Sequence, residues 1–215
     1  MTTSDPANLR RMYERDALDE STIAPTWLAQ LRLWFDDAVE LGGSPEPNAL
    51  QVATVDADGR PGLRTVLAKA IDERGVTFYT NYRSAKARDL DANPFAAAQF
   101  LWLAHERQVR LAGSVRRVSR EETAEYFHSR PRGSQLGAWA SPQSQVIASR
   151  AVLLESLAAT ESRYGDRVID VPPHWGGYLL SPESVEFWQG RPDRLHDRLR
   201  FRLDDGGWIL ERLAP

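Results

Sequence analysis

From Ala49 onward the spacing of apolar residues changes from the helical period to the two-residue period of β-strands, and this switch constrains the fold more than any other feature. Runs of β-branched and aromatic residues are broken by turn signals at Asp58-Gly59 and Arg74-Gly75, which predicts strands near 49–56, 62–71 and 75–80. Ser84 is placed to cap a short helix to about Asn93, Pro94 breaks it, and strands follow near 95–103 and 107–118. Ser119 and Glu122 have the spacing of a capping box for a helix to about Ser129, and 132–140 and 147–163 also read as helical. Strand patterns return near 176–180, 184–189, 195–203 and 207–212. Antiparallel strands joined mostly by short turns, with helices packed outside, make an α+β fold built on a β-barrel.

Ahead of the strands, Pro25 and Thr26 open a helix in which Trp27, Leu28, Leu31, Trp34, Phe35 and Val39 keep helical spacing, and Gly42-Gly43 ends it. Residues 1–20 are polar and read as a flexible N-terminal arm, which leaves 21–215 as one domain. With 42% apolar residues that length buries a proper core. The most apolar stretch, Phe95 to Ala104, is too short for a membrane span, and the first residues lack a signal-peptide core. A soluble, cytoplasmic protein is expected.

The chain has no cysteine, so disulfides, thiolate metal sites and thiol nucleophiles are excluded, and redox chemistry has to come from a bound cofactor. Its four histidines, at 105, 128, 174 and 196, lack metal-site spacing, so no metal is expected. Ser134 sits in RGSQLG, which is not a nucleophile elbow, and no Walker or Rossmann glycine loop is present. A net charge of −3 argues against binding a nucleic-acid backbone. Yet seven cations face two acids between Arg60 and Arg88, and five arginines face two aspartates between Arg191 and Arg202, a pattern suited to small anionic ligands. Of the 27 basic residues only Lys69 and Lys86 are lysines, a skew that genome composition alone can produce.

Four short segments are dense in phosphate-binding chemistry. In GLRTVLAK, Arg64 offers a planar fork and Lys69 a compact charge, but their odd spacing puts them on opposite strand faces unless a bulge intervenes; taken alone, solvated edge-strand charges explain them better. In FYTNYRSAK, the helix start at Ser84 and the charge of Lys86 suit an anion, although Ser84 also serves as a plain N-cap. In YFHSRPRGSQ, Tyr126, Arg130 and Ser134 can present hydroxyl, guanidinium and hydroxyl to one phosphate, or simply close a helix. The densest segment is VEFWQGRPDRLHDR: if 194–198 is extended, Arg194, His196 and Arg198 share one face and repel unless an anion sits among them.

These blocks, together with ERQV, SQLGAW and WGGY in the same order, resemble the pyridoxine/pyridoxamine 5′-phosphate oxidase family from about Arg10 to the terminal RLAP. The resemblance implies a homodimeric FMN-binding split β-barrel, antiparallel and Greek-key-like with peripheral helices. It implies oxidation of pyridoxamine or pyridoxine 5′-phosphate to pyridoxal 5′-phosphate, with O2 as acceptor and hydrogen peroxide, plus ammonia from the amine, as products. Carried over by position, FMN contacts are Arg64, Thr65, Val66, Leu67, Ala68, Lys69, Tyr79, Thr80, Lys86, Gln108, Gln143, Ser144, Trp188 and Arg198. Substrate phosphate falls to Lys69, Tyr126, Arg130 and Ser134, the pyridine end and catalysis to Arg194 and His196, and a covering segment to Arg10 and Tyr13. Arginine is a poor base at neutral pH, so orienting the reacting carbon is the role expected of Arg194. The family usually reads Ser-Arg-Lys where this chain has Ser84-Ala85-Lys86, and Arg83 is the nearest replacement for the missing cation. Competing readings are another flavin or deazaflavin reductase on the same barrel, or a non-catalytic carrier of FMN or pyridoxal phosphate.

Overall fold

The computed structural model describes residues 12–215. Eight strands form one sheet: β1 (Ala49–Val55), β2 (Pro61–Asp72), β3 (Gly75–Asn81), β4 (Phe95–Trp102), β5 (Arg107–Arg117), β6 (Trp175–Gln189), β7 (Asp197–Asp204) and β8 (Gly207–Arg212). They are hydrogen-bonded in the order β3-β2-β1-β4-β5-β6-β7-β8, and a further β3–β6 pairing closes the first six into an antiparallel barrel. Five helices accompany them: α1 (Trp27–Glu40), α2 (Ala85–Ala92), α3 (Arg120–Ser129), α4 (Arg132–Ala140) and α5 (Arg150–Tyr164). The α+β barrel expected from the strand pattern, and the split barrel that the resemblance implies, are therefore the observed fold. Among the described residues no helix is long and apolar enough to cross a membrane.

The chain divides into two compact units. One comprises residues up to Ala49, Gln99–Leu111 and Glu183–Pro215; the other holds Leu50–Ala98 and Ala112–Pro182. In the first, Thr26 caps α1 by accepting a hydrogen bond from the Ala29 N–H at 3.1 Å. Trp27, Leu28, Leu31 and Trp34 are buried as their spacing predicts, but Val39 is exposed because Ala38 takes the inward position on the last turn. Trp34 meets Phe187 edge-on at 5.3 Å and Phe187 meets Phe201 at 6.0 Å, which seats the helix on β6 and β7.

In the second unit, Phe127, Leu136, Ala138, Tyr164, Ile169 and Trp175 bring α3, α4 and the end of α5 together over the start of β6. Ser119 caps α3 through the Glu122 N–H, and the Glu122 carboxylate, held below its usual range chiefly by Arg74, also takes the Ser119 N–H, which completes the box expected there. The helix expected from 147 begins only at Arg150, after an extended Ser149.

The two strands expected at 176–180 and 184–189 are one strand, β6. It pairs with β3 through Trp175–Leu180 and with β7 through Ser184–Gln189, so Pro182 falls where the partner changes and no ladder N–H is needed there. Conversely, β7 starts at Asp197 rather than 195, because Pro192–Arg194 form a 3₁₀ turn with Asp193 and Arg194 at φ 56° and 63°.

Candidate active site

A cavity of about 460 Å³ opens in the second unit, within the size range of small-molecule sites. Thr65, Val66, Leu67 and Lys69 of β2, Tyr79, Thr80 and Asn81 of β3 and Lys86 of α2 form one side of its lining. Tyr126, Arg130, Ser134, Gly137, Ala138, Ser141, Gln143 and Trp175 complete it. The bulge required by the Arg64/Lys69 spacing exists: the β2–β3 register shifts between Ala68 and Ala70. Lys69 lines the cavity and Arg64 does not; its guanidinium donates to Thr54 Oγ1 at 2.5 Å and Val52 O at 3.2 Å and lies 3.4 Å from Asp89.

Lys86 is 7% exposed, and its Nζ donates to Thr80 Oγ1 at 3.0 Å. Thr80 in turn donates to Gln143 Oε1 at 2.9 Å, an oxygen that also accepts the Asn81 N–H at 3.2 Å. Burial, helped by Arg64 and opposed by Asp89, pushes the Lys86 ammonium down to about 8. Ser84 occupies the N-cap position of α2, yet its buried hydroxyl makes no cap bond and has no partner. Arg83 lines a separate cavity of about 250 Å³ with Trp139, Gln145 and His174, so the replacement role expected of it is not built into the Lys86 cavity. Its charge there assists burial in holding His174 below the usual imidazole range.

Tyr79 stacks on Tyr126 at 4.0 Å and on Trp175 at 5.5 Å, and the Arg130 guanidinium lies 4.5 Å over the Trp175 ring. A side chain at Gly177 would place its Cβ 2.8 Å from the Tyr79 ring, so the second glycine of WGGY is what lets that stack lie against β6. Arg130 leaves α3 in an extended conformation, and Ser134 lies in the first turn of α4 beyond Pro131, so a helix break brings hydroxyl, guanidinium and hydroxyl to one cavity. Arg130 Nη1 is buried without a hydrogen-bond partner, and burial lowers the affinity of this guanidinium for its proton. Burial, reinforced by Glu122, pushes the Tyr79 phenol up to about 12. Desolvated cations and unpartnered donors of this kind fit a bound phosphate.

Of the remaining candidates, Tyr13, Gln108, Trp188, Arg194, His196 and Arg198 belong to the first unit, and Ala68, buried but off the cavity lining, and Ser144 belong to the second. His196 packs on Trp188 at 4.5 Å, and Tyr13 meets both rings edge-on at 5.9 Å. Gly190 makes room for Tyr13, since a Cβ there would lie 2.7 Å from it. His196 Nδ1 lies 3.1 Å from the Arg191 N–H and accepts its hydrogen, which leaves Nε2 to carry the proton of a neutral ring. Burial, then Arg194, hold this imidazole below its usual range, with Asp197 opposing. Arg194, His196 and Arg198 do not form the extended face expected of them, because Arg194 lies in the left-handed turn. The anion beside Arg198 is the protein's own Glu186, whose Oε1 accepts from Arg198 Nε at 2.8 Å. Gln108 is half-buried on β5, and Ser144, also left-handed at φ 68°, is exposed beside Gln143. Arg10 lies outside the described residues.

Several participants carried no local signal. Arg107, nearly buried, reaches Asp16 and Asp37 at 2.6 Å each and Gln189 at 3.0 Å, tying residues ahead of α1 to the end of β6. Glu186 and Trp175 sit inside motif blocks, VEFW and WGGY, whose composition singles out neither.

A closed antiparallel barrel whose wall holds a cavity of cations, hydroxyls and stacked aromatics defines a split-barrel protein with a lining suited to an anionic ligand. The family profile described as pyridoxamine 5′-phosphate oxidase matches residues 39–164, and that of the pyridoxine 5′-phosphate oxidase C-terminal dimerisation region matches 175–215. The chain belongs to the pyridoxamine 5′-phosphate oxidase family. It is 58% identical over 214 residues to the pyridoxine/pyridoxamine 5′-phosphate oxidase of Saccharopolyspora erythraea, covering 99% of this chain and 96% of that one. The enzyme of the same name from Pseudomonas paraeruginosa is 55% identical, with 99% and 100% covered. Among solved structures, PhzG from Burkholderia lata in complex with tetrahydrophenazine-1-carboxylic acid is similar at a TM-score of 0.86 and 30% identity, covering 93% of this chain and 98% of that one.

Proposed function

We propose that the protein is an FMN-dependent oxidase that converts pyridoxamine or pyridoxine 5′-phosphate to pyridoxal 5′-phosphate, passing electrons to O2 and releasing hydrogen peroxide. The observation that carries this reading is one cavity lined by two sets of phosphate-binding groups: Lys86, Thr80 and Gln143, linked by hydrogen bonds, and Lys69, Tyr126, Arg130 and Ser134. FMN, when bound, supplies the hydride acceptor, a role that amino-acid side chains do not fill. The first set suits the flavin phosphate and the second the substrate phosphate. Binding energy from a remote phosphate then holds the reacting carbon in place.

Arg194 orients the amine or alcohol, and His196, neutral with its proton on Nε2, donates a hydrogen bond to the substrate. Tyr13 covers the His196 ring and limits access of water. Gln108, Trp188 and Arg198, which do not line the cavity, come from a second copy, in keeping with the dimerisation profile that spans Trp188 and Arg198. PhzG's bound tetrahydrophenazine acid raises a second reading, oxidation of a reduced tricyclic acid, but the hydroxyl and guanidinium set at Tyr126, Arg130 and Ser134 favours a phosphate ester.

The test is anaerobic addition of pyridoxamine 5′-phosphate to the purified, FMN-loaded protein. The flavin absorbance is expected to bleach and to recover with air. A protein that takes up no FMN, or whose flavin stays oxidised with substrate, refutes the reading.

A further inference from the structure

Glu186 is a carboxylate in a place that disfavours one. It is 8% exposed on β6, between Val185 and Phe187, both fully buried. Burial alone pushes its carboxyl up, but hydrogen bonds from Arg198 and Arg110 outweigh this and hold it below the usual range, so it stays ionised. The contact with Arg198 is two-pronged: Nε to Oε1 at 2.8 Å and Nη2 to Oε2 at 3.3 Å. Arg110 donates to the same Oε1. From the other side Ala214 O accepts from Arg198 Nη1 at 2.7 Å, and the Leu213 N–H returns to the Arg198 carbonyl at 2.9 Å.

A guanidinium has five N–H donors in a rigid plane. Here a carboxylate takes one edge and a main-chain carbonyl takes another donor, so the plane of Arg198 is fixed while its remaining donors have no partner among the described residues. A surface ion pair would not need a buried carboxylate, and a core ion pair would not leave donors over. We propose that Glu186 and the Ala214 carbonyl form a socket that fixes the guanidinium of Arg198 for the flavin, making Glu186 a positioning residue of the cofactor site. The inference rests on the FMN reading above, in which Arg198 meets the cofactor. Without the socket, Arg198 has to be ordered at the moment of binding, an ordering cost of ~0.5–1.5 kcal/mol that corresponds to roughly 3- to 10-fold in affinity.

The test measures FMN dissociation constants by fluorescence quenching for wild type, Glu186→Gln, Arg198→Ala and the double variant, with the visible circular dichroism of bound FMN. Deletion of Ala214 and Pro215 removes the second support independently, should Glu186→Gln fold poorly. Glu186→Gln is expected to weaken binding about 10-fold and to change the dichroism, the deletion to weaken it about 3-fold, and Glu186→Gln to add less than twofold when Arg198 is already alanine. Equal affinity in wild type, Glu186→Gln and the deletion, or equal losses from Glu186→Gln in both backgrounds, overturns the socket and leaves the FMN reading intact. No binding by wild type overturns that reading and the socket with it.

Discussion

Replacing Lys86 by methionine should stabilise the empty protein and cost it its ligand. The ammonium is buried, and its proton affinity falls from the usual 10.5 to about 8, chiefly through burial. At ~1.36 kcal/mol per tenfold change, keeping it charged costs the folded state at most about 3 kcal/mol near neutral pH. Methionine removes that cost, fills a similar volume and loses the hydrogen bond to Thr80, worth about 1 kcal/mol. The net gain of about 2 kcal/mol corresponds to roughly 4–8 °C in Tm for a chain of this size. The pH dependence carries the signature. Because the folded-state value is depressed, the penalty is fully present below about 8 and fades as pH rises toward 10.5, where the unfolded chain also loses the proton. The melting temperature of Lys86→Met minus that of wild type, both without ligand, is therefore expected to be largest at pH 6.5 and to shrink above pH 8. FMN should raise the Tm of wild type and not that of the variant. If the empty variant melts below wild type at pH 6.5, the burial argument is wrong.

Lys69→Arg keeps the charge but replaces a compact ammonium with a planar fork in a confined wall, and titration should show about tenfold weaker binding of the phosphorylated substrate. Arg83→Ala should leave FMN affinity within twofold of wild type, because that side chain lines the other cavity; a larger loss would restore its supposed role. At Asp193, φ 56° suits glycine better than a branched side chain, so thermal melting of Asp193→Val should show a loss of ~1–3 kcal/mol while Asp193→Gly stays near wild type.

The barrel was readable because its turns announce themselves: Asp58-Gly59 and Arg74-Gly75 bracket β2 closely. The unbroken β6 was not, since Ser181-Pro182 carries the composition of a turn and only the exchange of partners from β3 to β7 explains why the strand runs on. In the site, the cavity cations were legible as local motifs, because Lys69, Lys86 and Arg130 come from segments whose neighbours also line the wall. The C-terminal motif misled on geometry. Alternating residues imply a shared face only if the chain is extended, and two successive left-handed residues, Asp193 and Arg194, break that premise without glycine to betray it. The partner of Arg198 was hidden for a different reason. Glu186 opposes Arg200 in the β6–β7 ladder and reaches Arg198 diagonally, a relation that depends on a register no single strand reveals.

The placement of the lysines has a practical consequence. Both line the cavity, and no other lysine exists in the chain, so an amine-selective acylating reagent meets only these two side chains and the N-terminal amine. Lys69 is exposed and Lys86 is buried with a proton affinity near 8, so the two differ in access to the reagent. Mass-resolved labelling of the intact protein thus becomes a footprint of the cavity itself, in which each phosphate that docks shields a separately countable amine.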